Sequence, residues 1–229
     1  MYQLNLKMEN SSIIKNKNRI EQFGEVNTQE KEVNNMLSLV NDECLRIDSR
    51  FLESACGDGN FLTNIFKKKL DIVFIKNKND HVEFEKYALY SLSSLYGIEI
   101  QLDNVLKTRE RLFQILNNYY LEKYNNSLIE EFVNSAKYIL KKNIIHGDAL
   151  SLKIASDKKK DIIFAEWSMV NSTDFKRRDY TFNELLAYQP IEGNNLFSDL
   201  GEQAFIPSPI KEFKPIHYLK IYDYFKTKS

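Results

Sequence analysis

An apolar run, a glycine-rich turn and a helical pattern follow one another between Phe51 and Leu62, where the sequence reads FLESACGDGNFL. Apolar residues then recur at helical spacing as far as Lys69, so the stretch predicts a strand, a tight turn and a helix. Because glycine has no Cβ, Gly57 and Gly59 let the backbone approach a ligand closely at the start of a helix. The turn alone leaves two interpretations open, a ligand site or a purely structural turn.

The same alternation continues along the chain and indicates an α/β fold with a mostly parallel sheet. Helical spacing predicts helices over Gln29–Val40, Glu83–Leu95 and Asn104–Lys123, and a short C-terminal helix within Ile216–Phe225. Short apolar runs predict strands over Arg50–Ser54 and Tyr96–Ile100, and within Asn143–Leu150 and Asp161–Trp167.

Composition limits the classes of protein to consider. A chain of 229 residues with 43% hydrophobic content fits one domain with a full core. The 32 basic residues equal the 32 acidic ones, so any contact with nucleic acid has to be local. Cys44 and Cys56 form neither a disulfide framework nor a metal-ligand pattern, and no apolar run has the roughly 20 residues of a membrane span. We therefore expect a soluble cytoplasmic protein without a metal.

Carboxylates follow two further predicted strands. Glu99 lies next to the last residue of the run YGIEI, at the end of the predicted strand, where a carboxylate can accept both hydrogen bonds of a ribose diol. Asp148 ends the run IIHGD, where it can accept from the exocyclic amine of adenine. Ligands of open α/β sheets bind beyond the carboxyl ends of the strands, so the three strand ends predict one nucleoside site.

At these residues the chain resembles the S-adenosylmethionine-dependent DNA methyltransferases that modify adenine N6, of the restriction-modification type. Their glycine loop reads close to LDPACGSGNFL, whereas this chain reads LESACGDGNFL, with Glu53 and Ser54 in place of aspartate and proline. Upstream, Phe23–Leu37 is similar to the GEVFTP segment of that family, with Asn27 and Gln29 replacing its aromatic residue and its proline. The runs YGIEI and HGDAL follow in the order of the family.

The resemblance implies a Rossmann-like class I methyltransferase fold with helices on both faces of the sheet and a reduced C-terminal part. It implies one domain over residues 1–229, with a helical cover over 1–45, a cofactor-binding core over 46–190 and a tail over 191–229. The implied cofactor is S-adenosylmethionine, with Glu53 facing its methionine amino group, Glu99 its ribose and Asp148 its adenine. The cofactor-binding residues implied in this way are Thr28, Glu53, Cys56, Gly57, Gly59, Glu99, Ile100, Asp148 and Ala149.

The resemblance breaks at the motif that receives the target amine. The family carries NPPY or a close variant, whereas this chain has AEWS at residues 165–168. Aligned from Asp161, Glu166 falls on the asparagine and Trp167 on the first proline. We expect Glu166 to accept from the amine and Trp167 to offer a stacking face as catalytic residues. The alternative is that both form a non-catalytic floor.

A basic cluster of Lys176, Arg177 and Arg178 beside Tyr180 is the candidate contact with nucleic acid. Its alternative is a loop capped by Thr181 that leads into a helix. No separate recognition region is visible, so target recognition would come from a protein partner or from loops too short to show a pattern.

Two functions remain open at this stage. The first is methyl transfer to an exocyclic amine of nucleic acid, with DNA as the expected substrate. The second is a catalytically degenerate relative that binds the cofactor and serves as a partner or regulatory subunit. A nicotinamide enzyme is disfavoured because CGDGNF lacks the third glycine of GxGxxG.

Overall fold

The computed structural model describes residues 30–187 and 208–225. Thr28 and the rest of the segment 23–29 lie outside these residues, so the expectation for them is untested. In chain order the elements are α1 (Glu30–Ser38), α2 (Asn41–Cys44), β1 (Phe51–Glu53), α3 (Asn60–Asn77), α4 (His81–Ser93), β2 (Leu95–Glu99), α5 (Leu102–Tyr124), α6 (Glu130–Asn143), β3 (Ile144–Asp148), β4 (Lys153–Ile154), β5 (Asp157–Asp161), β6 (Ile163–Val170), β7 (Asp174–Thr181), α7 (Phe182–Ala187), β8 (Lys211–Glu212), β9 (Ile216–His217) and a 3₁₀ helix (Tyr218–Phe225).

Five strands form a mixed, mostly parallel sheet in the order β1-β2-β3-β4-β5. The first three are parallel, with Leu52 opposite Tyr96 and Ile98 opposite Ile145, and β4 and β5 continue antiparallel. A pair of helices connects β1 to β2, and another pair connects β2 to β3. The α/β prediction is confirmed at this level, and the arrangement is compatible with a Rossmann-like fold.

The two faces of the parallel strands are covered differently. Leu95 and Ile144 belong to the large core that α3, α4, α5 and α6 build together. The side chains of Tyr96, Ile98 and Ile145 point to the other face. There they pack in a smaller apolar cluster with Ile162, Phe164 and Phe182. The expectation of helices on both faces is therefore corrected: long helices cover one face, and β6 with the short α7 covers the other.

The run Asp161–Trp167 does not form a parallel strand. Asp161 ends β5, and β6 pairs antiparallel with β7 in a second sheet, where Trp167 lies opposite Arg177. The strands β8 and β9 both pair with β7. Among the described residues β1 pairs only with β2, so its other edge is open.

The C-terminal residues pack on this second sheet and on α6. The 3₁₀ helix buries Tyr218, Ile221 and Tyr224, and the Tyr218 hydroxyl donates to Glu85 at 3.1 Å. None of the helices in residues 30–187 and 208–225 is long and apolar enough to cross a membrane.

A fully buried lysine joins the helices to the start of the sheet. Lys69 Nζ on α3 donates to Ile47 O at 3.1 Å, to Ser49 O and to Ser94 Oγ at 2.6 Å. Burial lowers the pKa of Lys69 to about 8. Since lysine in an unfolded chain titrates near 10.4, the unfolded state binds more protons between these two pH values.

We predict that the contribution of Lys69 to the free energy of unfolding rises with pH above about 8, and that Lys69→Met removes this rise. The free energy of unfolding, measured in urea at pH 7 and pH 9.5, should increase by up to roughly 2 kcal/mol more in the native protein than in the variant. The exposed Lys67→Met is the matched control and should behave as the native protein does. An identical pH dependence in the native protein and Lys69→Met would contradict this assignment.

Candidate functional site

The glycine loop is fixed by hydrogen bonds between main-chain groups. Cys56 N donates to Ile98 O of β2 at 3.0 Å, and Gly59 N donates to Cys56 O at 2.8 Å. Gly57 and Gly59 have φ values of 53° and 85°, in the left-handed region that favours glycine. Gly59 precedes the first residue of α3, so the loop leads from the end of β1 directly into a helix N-terminus.

The carboxylate of Glu99 joins this loop to the end of β2. Its Oε2 accepts from Gly57 N at 2.9 Å, and its Oε1 accepts from Gln101 N at 2.7 Å. The side chain is nearly buried, and the two amides hold it at the carboxyl end of the sheet. Each carboxylate oxygen has a second lone pair, so Glu99 can still accept from a ligand.

The two glycines differ in the space around them. A Cβ added at Gly57 would meet no atom within 4 Å, whereas a Cβ at Gly59 would lie 2.7 Å from Thr108 Cγ2. Thr108 is also held in place, because its hydroxyl donates to Gly57 O at 2.9 Å. Gly59 is therefore required by packing inside the protein, and Gly57 borders open space.

Two further carboxylates lie near Glu99. Burial, with a contribution from the charges of Asp58 and Glu99, raises the pKa of Glu53 to about 8. Its Oε2 is buried and has no hydrogen-bond partner. Asp58 is neutralised by Lys107 at 2.8 Å and by Arg111 at 2.9 Å. Of the three carboxylates, Glu53 is thus the one with a buried oxygen that has no hydrogen-bond partner.

Cys56 is buried beside the same carboxylates. Burial, and then the charges of Glu53 and Glu99, raise the pKa of its thiol far above the usual range. The thiol is therefore protonated at neutral pH and acts as a small apolar group in the loop.

The end of β3 borders a cavity of about 340 Å³. Asp148 accepts from Leu150 N at 3.0 Å and from Ser151 Oγ at 2.7 Å, and these hydrogen bonds lower its pKa. Ile100 is half exposed at the cavity wall, and its carbonyl contacts His146 Nε2 at 2.9 Å. Ala149 packs at the edge of the smaller apolar cluster on the outer face of the sheet.

The structure therefore brings most of the predicted cofactor residues to the carboxyl ends of three adjacent parallel strands. Glu53 ends β1, Glu99 ends β2 and Asp148 ends β3. The glycine loop and Ile100 directly follow the first two of these ends.

Glu166 and Trp167 lie elsewhere, and their predicted catalytic roles have to be corrected. Glu166 accepts from Arg50 Nη2 at 2.5 Å, and Arg50 precedes β1 whereas the glycine loop follows it. Trp167 is 2% exposed and donates to Asn143 Oδ1 at 3.0 Å, just before β3 begins. Both residues are therefore at the amino ends of the strands, and the buried indole has no ring face open to a base.

The basic cluster also differs from the sequence interpretation. Arg177 is 4% exposed and forms a two-point ion pair with Asp179, with distances of 2.6 and 2.7 Å. Lys176 pairs with Glu212 at 2.7 Å, and Arg178 pairs with Glu166 at 3.2 Å. The segment is strand β7 and not a loop, although Thr181 does accept from Glu184 N at the start of α7. Because all three side chains form ion pairs within the protein, they are not free to bind a phosphate group.

Sequence reasoning missed the surroundings of Glu166. A cavity of about 450 Å³ lies along the open edge of β1, between Arg50, Leu52, Tyr96, Glu166 and Arg178. Arg50 and Glu166 are 116 positions apart in the sequence, and no local pattern links them.

No family model, no curated protein and no solved structure matches this chain. Within the described part of the chain, no group of three or more His, Cys, Asp or Glu residues could hold a metal ion.

We predict that Gly59→Ala destabilises the protein at least twice as much as Gly57→Ala. Both place alanine in left-handed backbone, which costs roughly 1–2 kcal/mol, but only Gly59→Ala also forces its Cβ against Thr108. Adding Thr108→Ser to Gly59→Ala removes the nearest methyl group and should restore part of the loss. Chemical denaturation measures all three variants, and equal losses at the two glycines would contradict the packing described here.

Proposed function

We propose that this chain binds S-adenosylmethionine at the carboxyl ends of β1, β2 and β3. The observation that carries the proposal is the position of Glu99, which two main-chain amides fix at the end of β2 directly beside the glycine loop. A carboxylate at this place in a parallel sheet, next to a glycine that borders open space, suits a ribose diol.

The remaining residues fit the other parts of the cofactor. Its methionine end carries an ammonium and a sulfonium, and Glu53 has a buried carboxylate oxygen without a partner. Its adenine would lie against Ile100 in the cavity that Asp148 borders. The open space at Gly57 gives the methionine end access to the backbone. The carboxylate acceptors and the lining of the cavity are thus both consistent with this cofactor.

The chemistry of such a site needs an acceptor next to the methyl group. When bound, S-adenosylmethionine supplies an electrophilic methyl group, and positioning and electrostatics then suffice for transfer. The segment that would receive the amine, Glu166 and Trp167, is at the other end of the strands. We therefore favour a methyltransferase-like subunit that binds the cofactor and acts with a protein partner that supplies acceptor recognition.

Methyl transfer by this chain itself, to an exocyclic amine of DNA, is the second candidate. Glu53 Oε2, which has no hydrogen-bond partner, favours this candidate. An amine that is to be methylated needs a carboxylate or carbonyl oxygen nearby that accepts a hydrogen bond from its N–H group. A radiolabel transfer assay on DNA with the isolated chain separates the two candidates. Transfer by the isolated native chain would support the second candidate, and cofactor binding without transfer would support the first.

We predict that Gly57→Asn weakens binding of S-adenosylmethionine at least tenfold in isothermal titration calorimetry, which corresponds to about 1.4 kcal/mol. Asparagine tolerates left-handed backbone, so the fold should persist while the side chain fills the open space at this position. The exposed Ile75→Asn on α3 is the control and should bind as the native chain does.

Equal affinity of Gly57→Asn and the native chain would place the cofactor elsewhere. Absence of binding to the native chain would end the proposal.

A further inference from the structure

A third cavity, of about 340 Å³, opens at the amino ends of the strands, where α6 meets the second sheet. Its wall carries the basic residues Lys141, Lys142, Arg177 and Lys211. A volume of this size is at the lower end of the range of small-molecule sites. The cavity is a candidate binding site that the cofactor proposal does not use.

The positive charge in this cavity is only partly balanced. Asp179 is committed to Arg177 through both of its oxygens. Within residues 30–187 and 208–225, no carboxylate forms an ion pair with Lys141, Lys142 or Lys211. The charges of these three ammonium groups are therefore not neutralised by any carboxylate of the described residues.

The lysines also crowd one another. Burial lowers the pKa of Lys142, and the charges of Arg177, Lys141 and Lys211 lower it further, against the opposite effect of Asp179. Crowding of like charges inside a partly desolvated cavity favours an anion that can contact several of them at once.

One feature of the fold opposes an anion here. The C-terminus of α6 presents the equivalent of roughly half a negative charge through its last carbonyls. Arg109 offsets part of it, because its guanidinium donates to Lys141 O at 3.3 Å and to Ile144 O. The three ammonium groups, which form no ion pair with a carboxylate in the described part of the chain, outweigh what remains.

Aromatic rings line the same cavity. Phe213 has the Arg177 guanidinium 4.3 Å and Lys211 Nζ 5.0 Å from its ring centroid, so cations already occupy its faces. Phe225 at the rim is 65% exposed and offers apolar ring surface beside the lysines. A ligand that carries a phosphate next to a flat ring would use both features.

The cavity is separate from the candidate cofactor site. Lys142 precedes the first residue of β3 by two positions, whereas Asp148 is the last residue of that strand. Since a strand rises about 3.3 Å per residue, the two ends of β3 are roughly 13–16 Å apart. A single small ligand does not contact both.

We propose that this amino-end cavity binds a nucleotide unit, with its phosphate on Lys141, Lys142 and Lys211 and its base against Phe225. The nucleotide is either free or part of a single-stranded nucleic acid, because both present the same phosphate and ring. The proposal is independent of S-adenosylmethionine binding at the opposite end of the sheet.

The test is fluorescence anisotropy of the full chain with a fluorescein-labelled single-stranded 12-nucleotide DNA, titrated at several salt concentrations. Lys142→Gln/Lys211→Gln should weaken binding at least tenfold and should reduce the slope of log K against log salt by about 1.4, or about 0.7 for each phosphate that is no longer neutralised. Lys76→Gln/Lys78→Gln, on the exposed C-terminal end of α3, is the matched control and should change neither quantity. Melting temperatures show that each variant is folded.

Competition identifies the source of the nucleotide. Displacement of the labelled strand by adenosine 5′-monophosphate at millimolar concentration would indicate a free nucleotide, and displacement only by unlabelled strands would indicate nucleic acid. Phe225→Leu should weaken binding of either one and leave competition by inorganic phosphate unchanged. The proposal would be overturned if the control pair weakened binding equally or if Phe225→Leu had no effect. It would also be overturned if polyglutamate competed as strongly as nucleic acid, and that result would indicate an acidic protein partner.

Discussion

The two hydrogen bonds that Glu99 accepts, from Gly57 N and from Gln101 N, determine the geometry of the carboxyl end of the sheet. They fix the glycine loop against the end of β2 and orient the carboxylate at the same time. The loop in turn starts α3, whose apolar side joins the main core and whose Lys69 holds the turn before β1. Loss of these hydrogen bonds would therefore displace the candidate site and α3 together.

The neutral overall charge of the chain hides an uneven distribution. At the carboxyl ends of the strands, Glu53 and Glu99 leave acceptor capacity beside the glycine loop. At the amino ends, Lys142 and Lys211 have no carboxylate partner in the described residues. A cationic ligand is favoured at the first place and an anionic ligand at the second, which is why net charge alone is a poor guide to the partners of this chain.

The sequence predicted the part of the fold that local patterns control. The run into Gly57 and Gly59, the strand that ends at Glu99 and the strand that ends at Asp148 all lie where the sequence suggested. These elements are short-range features, since a glycine turn and a strand end are visible within a few residues. Helix α6 was missed, and α3 extends to Asn77, well beyond the predicted Lys69.

The sequence did not reveal the pairing of β6. A short apolar run such as that before Trp167 is compatible with a parallel or an antiparallel strand, and its partner β7 contains the cluster KRR. In β7 the alternate residues Phe175, Arg177 and Asp179 point inward, so a segment that reads as a charged surface is half buried. The ion pair between Arg178 and Glu166 depends on that pairing, because the two residues lie opposite each other, and no local pattern contains it.

We propose that S-adenosylmethionine binds at the glycine loop between Glu53 and Gln101. The most direct test is a ¹⁵N–¹H correlation spectrum of the labelled chain, recorded during titration with S-adenosylmethionine. We predict that the largest shifts occur at the amides of Gly57, Gly59 and Gln101, and that those of Lys142 and Arg178 at the opposite end of the strands do not change. Shifts confined to the amino ends of the strands, or no shifts at saturating cofactor, would contradict the claim.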